Sequence, residues 1–467
     1  MEKLIFFSFF ILSSSFGLLP ENIFLNEEVI VEKMFYDEKL RKSPPAPISP
    51  SSHFLEILDV TKQKIDPAFQ VPAYLISSVK FWFDIYSTYS PEQVVIHDRD
   101  LHQIIYDALN FTGLHDSVLN RFVRYDLQEQ LVQDRIKEIK LAIPFYLTNP
   151  RTNPVSAKLA TDLLRFNIAV PKTQKDKRQF VNSLIERVRA QSGQRDSVYS
   201  AIERMAPFYS TLSRLFFLME APRELLAIPF VESSFNTSAV SRASAIGPWQ
   251  FIKQTGKSFL PISEREDGRL NPILSTIAGI HLLKQNFKMF RRWEFAITAY
   301  NVGPDHIIRA KKRIPVQQQT LEHLFDKYNN PQIGFASQNY FSEFLAMAHV
   351  LFNHAIFFPD LASSIDPAMA ITSLDNGPEV FAAYLSLCNF IPKKTIEIVS
   401  RQEERKLYNL ANNHLFHLEQ SYPRGTIFFS KTSLTDKRFL RLSDIQIKEI
   451  LPLNWPKLVG KKRCVTK

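Results

Sequence analysis

The stretch IPFVESSFNTSAVSRASAIGPWQFI, residues 228–252, decides how the rest of the chain is read. Glu232 stands between Phe230-Val231 and Phe235 and is followed at once by Ser233 and Ser234. A serine- and alanine-rich segment, 236–247, reads as a loop, and Trp249, Phe251 and Ile252 then supply an apolar anchor. Upstream, Ala221-Pro222 punctuates the chain, and a helix carrying Leu225, Leu226, Ile228 and Val231 follows. Pro229 falls inside that helix and removes one backbone hydrogen bond, so a bend or an end is expected near Glu232. The carboxyl would then lie at the rim of an apolar element.

Downstream, Asp267-Gly268-Arg269 reads as a turn, with Asp267 as a structural partner of Arg269. Asn271-Pro272 reads as a cap and a first-turn proline. Ile273, Ile277, Ile280, Leu283 and Phe287 recur at steps of three and four and predict a long amphipathic helix. Trp293, Ala296, Ile297 and Tyr300 share one face of the next helix, which ends at Gly303-Pro304. Residues 340–358 predict a further apolar helix, interrupted by His349, Asn353 and His354, and so a core helix and not a membrane span.

The 467 residues suit about two or three domains. Hydrophobic residues make up 45% and charged residues 22%, which is ordinary for a chain with a real core. Twelve glycines against 39 phenylalanines favour helices. The net charge of +10 suits an anionic partner such as an acidic wall polymer or membrane surface. No dense Lys/Arg stripe with interleaved aromatics accompanies it, so nucleic acid is not expected. No residue cluster has zinc-site spacing, and no metal is expected.

Residues 1–17 read as a secretory signal peptide: Lys3, an apolar run from Leu4 to Leu12, then small residues around Ser15-Phe16-Gly17. An uncleaved anchor is the alternative, and no cysteine nearby supports a lipoprotein. Residues 18–52, ending SPPAPISPSS, form a proline-rich linker. Residues 53–204 form a helical N-terminal region. Within it 94–106 predicts a small hairpin, and Leu127, Leu131, Ile136 and Ile139 recur at helical spacing. His97 and His102 read as ordinary surface or turn histidines. Residues 197–218 predict another helix. After residue 360 short apolar runs alternate with charged ones, and 425–430 predicts a strand. Cys388 and Cys464 either pair or remain thiols, which spacing alone leaves open.

Glycoside cleavage needs a carboxylic acid that stays protonated near neutral pH, and apolar surroundings raise a glutamate to about 6 in lysozyme. Glu232 has such neighbours. Its combination with Ser233, then Gly247-Pro248-Trp249-Gln250, then Ala299-Tyr300-Asn301 resembles the three signature motifs of lytic murein transglycosylases with a goose-type-lysozyme-like (SLT) catalytic domain. Asp267-Gly268-Arg269 with Pro272 and the long helix after them add to the likeness. The motifs span 219–312, and weaker likeness extends to 81–106 and 340–358.

The resemblance implies a mostly α fold: a lysozyme-like helical catalytic domain over 205–360, the helical N-terminal region, and a small α+β C-terminal region over 361–467. That tail resembles a degenerate glycan-binding LysM module at 409–413 and 423–428. It also implies an exported enzyme of a bacterial periplasm or cell envelope, a lyase of the glycoside hydrolase family 23 type, acting on peptidoglycan glycan strands without a cofactor. Glu232 would be the single acid and base that cleaves the MurNAc–GlcNAc β-1,4 bond and leaves 1,6-anhydromuramyl ends. Ser233 would orient the carboxyl or the sugar, Gln250 and Tyr300 would hold substrate, and Asn301 would support the site. Trp249 would contact sugar or pack in the core. The chain departs from the family at Ser244-Ala245-Ile246, where a glycine-alanine pair is usual, and at Pro248. A muramidase hydrolysing the same bond, or an inactive wall-binding scaffold, are the alternatives. Oligomeric state is not legible.

Overall fold

A computed structural model describes residues 53–58, 64–117, 121–260, 262–264, 267–328, 330, 333–362, 396–399 and 427–430. The signal-peptide, linker and disulfide expectations lie outside these residues, as does the LysM-like one apart from Ile427 and Phe428.

The chain is mostly α, as expected. The N-terminal region opens with α1 (His53–Ile57) and α2 (Ile76–Ser87), then β1 (Gln93–Asp98) and β2 (Ile105–Asn110). Next come α3 (Thr112–Ser117), α4 (Arg121–Ala142), α5 (Pro154–Arg165), α6 (Gln174–Arg187) and β3 (Val188–Ser192). The predicted hairpin is present: β1 and β2 pair antiparallel, with a bulge between Ile96 and His97. A third strand joins it, since β3 pairs antiparallel with the other edge of β1, giving the order β2-β1-β3.

Side chains alternate across a strand, and here β1 sits between two cores. Val94 and Ile96 join the smaller one, with Leu127, Leu131 and Ile139 of α4 and Leu159 and Leu163 of α5. Val95 faces the larger core, with Phe81, Trp82, Ile85 and Tyr86 of α2. His97 and His102 are not surface histidines. Both are buried: His97 lies on the middle strand, and His102, in the turn after it as the sequence suggested, packs against Phe81, His97 and Phe335. Burial holds the His102 imidazole down to about 4, so it is neutral at pH 7.

The stretch 195–218 is two helices, α7 (Arg195–Met205) and α8 (Tyr209–Leu218), separated by a 3₁₀ turn that contains Pro207. Residues 223–227 are likewise a 3₁₀ turn, and α9 (Ile228–Ser233) begins afresh after it. Pro229 therefore lies in a first turn, where its missing N–H costs nothing. The helix does end beside Glu232 as expected, though not because of a proline in its interior.

The short α10 (Lys253–Gly256) follows, and much of the large core comes from α11 (Pro272–Phe290), α12 (Trp293–Val302), α13 (Pro304–Lys311), α14 (Leu321–Lys327), α15 (Phe335–Phe352) and α16 (His354–Phe357), with α7, α8 and α9. Asn271 caps α11, its side-chain oxygen accepting from the N–H groups of Ile273 and Leu274. Helix α15 is buried almost all round, which marks a central helix, and it packs against α2, α9 and α12. No helix among the described residues is long and apolar enough to cross a membrane. In the C-terminal region β4 (Ile396–Val399) and β5 (Ile427–Ser430) pair in parallel, and β5 falls on the strand predicted there.

Candidate active site

Helix α9 stops in a tight reversal. Ser234 and Phe235 both have left-handed backbones, at φ 49° and 55°. A β-carbon makes that region costly, so two such residues in succession must be held by their surroundings. The N–H of Ser234 donates to Phe230 O at 2.8 Å and that of Phe235 to Pro229 O at 2.9 Å. From α7, Arg204 donates to Ser234 O at 2.7 Å. The Phe235 ring is buried in the large core. Glu232 is thus fixed two residues before a clamped turn.

The loop after it folds back against α9. The Ser233 hydroxyl donates to Pro229 O at 3.2 Å and Pro248 O at 3.0 Å, and accepts from the N–H of Asn236. Its proton and a lone pair are engaged in tying helix to loop. At Gly247, φ is +77°, and a β-carbon would lie 1.8 Å from the Arg269 carbonyl oxygen, so only glycine fits there. Gln250 donates to Gly247 O at 2.8 Å. Trp249 is fully buried; its indole donates to Thr276 at 2.9 Å, and its ring lies where a β-carbon on Gly279 would stand. Arg269 clasps both oxygens of Asp267, at 2.9 and 2.6 Å, and donates to Phe251 O. That guanidinium holds the Asp267 carboxyl below its usual range.

Tyrosines close around the acid. Tyr340 of α15 donates its hydroxyl to Glu232 Oε1 at 2.5 Å. Tyr300 of α12 donates to Trp249 O at 2.5 Å, and its ring stands edge-on to the Trp249 ring. Burial pushes the Glu232 carboxyl up from 4.5 to about 7, with the Tyr340 hydrogen bond pulling the other way. The residue as a whole is half-buried. Burial, then the charge of Glu232, raises Tyr300 and Tyr340, so both stay protonated donors.

Tyr300 therefore links Trp249 to the surroundings of Glu232, while the Ser233 hydroxyl and the Gln250 amide nitrogen tie down the loop between them. Asn301 follows Tyr300 on α12, and its buried Oδ1 has no hydrogen-bond partner among the described residues. Two further residues were not legible in the motifs, Tyr340 and Glu343. The trace they leave is a Tyr-x-x-Glu spacing inside an otherwise apolar helix. Of the other acids near the motifs, Glu224 is buried and accepts from the N–H of Asp66 at 3.0 Å, and Glu264 is exposed. No group of His, Cys, Asp and Glu among the described residues could hold a metal ion.

Residues 218–324 match the family model described as Transglycosylase SLT domain. Over 134 residues the chain is 31% identical to the membrane-bound lytic murein transglycosylase D of Escherichia coli strain K12, and equally to that of E. coli O6:H1 strain CFT073. The match covers 28% of this chain and only 28% of each relative. The resemblance read from the motifs is borne out over this segment. Glu232, Trp249, Tyr300 and Asn301 fall within 218–324, whereas Tyr340 and Glu343 lie beyond it.

Proposed function

We propose that this protein is a peptidoglycan lytic transglycosylase of a bacterial envelope, with Glu232 as its acid and base. One observation carries the reading: a glutamate raised to about 7, at the end of a clamped helix inside the segment similar to SLT transglycosylases. Near neutral pH such a group passes readily between its two protonation states, as a residue that first gives and then takes a proton must do.

In the first step the Glu232 proton goes to the oxygen linking MurNAc to GlcNAc, and the bond to the anomeric carbon breaks. In the second the muramyl 6-hydroxyl bonds to that carbon and passes its proton to the Glu232 carboxylate. The product is a 1,6-anhydromuramyl end; the enzyme returns to its starting state and no water is consumed. Ordinary glycosidases flank the bond with two carboxylates. An internal nucleophile removes that need, in keeping with Asp267 being bound to Arg269. The Asn301 amide, and the lone pair left on the Tyr300 hydroxyl whose proton goes to Trp249 O, are the groups offered to sugar. Ser233, Gln250 and Trp249 act through the loop, whose shape they hold.

Mass spectrometry of purified peptidoglycan digested with the protein tests the reading. Anhydromuropeptides are expected. Products one water heavier would make it a muramidase, and wall binding without products would leave a scaffold.

Tyr340 should set the pH range of the reaction. Its hydroxyl stabilises the ionised carboxylate, and a hydrogen bond to a charged group contributes about 1.5–3 kcal/mol. In Tyr340→Phe the Glu232 carboxyl should titrate above 7, the alkaline limb of the rate profile should move up, and the maximal rate should fall about tenfold as the base half slows. A pH–rate profile identical to the parent's would remove Tyr340 from the mechanism.

A further inference from the structure

A second carboxyl lies behind the first. Glu343 is one helical turn beyond Tyr340 on α15 and is 4% exposed. Its Oε1 has no hydrogen-bond partner among the described residues. Its Oε2 is reached by the Tyr86 hydroxyl of α2, at 3.5 Å. The groups that act on it come from every neighbouring element: Tyr86 from α2, Arg189 from β3, Glu232 from α9, and Tyr340 on its own helix, with Tyr300 of α12 beside Glu232. Arg189 does not pair with it directly. That guanidinium stacks on Phe335 at 3.7 Å, its Nε unpartnered among the described residues, beside the neutral His97 and His102.

We propose that Glu343 is a positioning residue that forms one electrostatically coupled titrating pair with Glu232, one helical turn beyond the Tyr340 that bonds it. A buried carboxyl with an unpartnered oxygen and no ion pair keeps its proton at neutral pH. Burial, and then the charge of Glu232, push it up to about 8. While Glu343 is neutral, Glu232 ionises without a like charge behind it. As pH rises, the first proton is lost from the pair and not from one residue. Molecules that lose it from Glu343 keep Glu232 protonated and competent as an acid beyond the pH at which a lone carboxyl would have ionised. The N-terminal region thereby reaches the active site through Tyr86, and Trp82 of the same helix donates to Asn339, next to Tyr340.

The rate arm of the test rests on the transglycosylase reading. Glu343→Gln keeps shape and burial but cannot ionise. Its rate at pH 6 should match the parent's, and its rate at pH 8 relative to pH 6 should be about threefold lower than the parent's. Tyr86→Phe, which withdraws a donor from ionised Glu343, should shift the alkaline limb in the same direction and serves if Glu343→Gln fails to fold. Superimposable profiles would overturn the proposal. So would a folded Glu343→Gln protein that is inactive at every pH, since Glu343 would then be catalytic. A second arm needs no activity. With ¹³C-carboxyl glutamate, NMR titration of Glu232→Gln should show Glu343 ionising at lower pH than in the parent. An unmoved Glu343 titration overturns the pair even if anhydro products form. A moved one upholds the pair even if none do.

Discussion

Replacing Glu232 by glutamine is expected to abolish product formation while leaving the protein folded and, at neutral pH, more stable. Removing a positioned general acid costs about 10² to 10⁴ in rate, and here the same group serves both halves of the reaction. A loss of about a thousandfold or more in muropeptide release, read by mass spectrometry, is the expected result. A variant with residual activity above about a tenth of the parent's would show that another group delivers the proton.

The stability gain follows from the direction of the shift. Glu232 is raised from 4.5 to about 7 on folding. Below about 4.5 it is protonated in the folded and unfolded chains alike and its titration has no effect. Between 4.5 and 7 the unfolded chain releases its proton while the folded chain keeps it, so stability falls as pH rises and the loss is complete above 7. At about 1.4 kcal/mol per pKa unit this amounts to at most about 3.5 kcal/mol. Glutamine does not titrate. Denaturant unfolding of parent and Glu232→Gln should therefore coincide near pH 4 and diverge by up to that amount at pH 8, with the variant the more stable. Coincident curves at pH 8 would mean that the carboxyl is not desolvated in the folded protein.

Trp249→Ala is expected to give the largest loss of stability in the catalytic region. The side chain is fully buried against Gly279, with its indole bonded to Thr276. Truncating a buried tryptophan to alanine costs about 3–5 kcal/mol, a large part of a typical domain's total. The loss should appear as a lower midpoint of urea unfolding. Activity should fall with it, because the Trp249 carbonyl anchors the Tyr300 hydroxyl and the adjoining Pro248 carbonyl anchors Ser233. A variant of parental stability with only a raised KM would instead make Trp249 a sugar-stacking platform. The sequence admits both roles; burial favours the core one.

What the sequence determined by itself is local or carried by motif. Asn271-Pro272 marks a helix start because a side-chain acceptor and a proline act within one turn. The recurrence from Ile273 to Phe287 marks its buried face for the same reason of short range. Glu232, Trp249, Tyr300 and Asn301 stood out because their motifs occur in order at familiar intervals. The limits were already visible at Pro229, where a 3₁₀ turn upstream moved the helix start and turned an interior proline into a first-turn one.

Only the tertiary structure decided what surrounds the acid. Tyr340 is 108 residues from Glu232 in sequence, and no pattern along the chain pairs a tyrosine of a core helix with a distant carboxyl. His97 looked exposed because polarity along a strand does not report a second layer packed over its far face, and His102 because a turn in sequence does not show the rings that cover it. That the Ser233 hydroxyl and the Gln250 amide nitrogen also hold the loop could not be read from their motifs. A pKa is the same kind of quantity. Apolar neighbours in sequence suggest a raised carboxyl, but the shift comes from water excluded by α12 and α15, elements that the chain reaches only after it has folded back on itself.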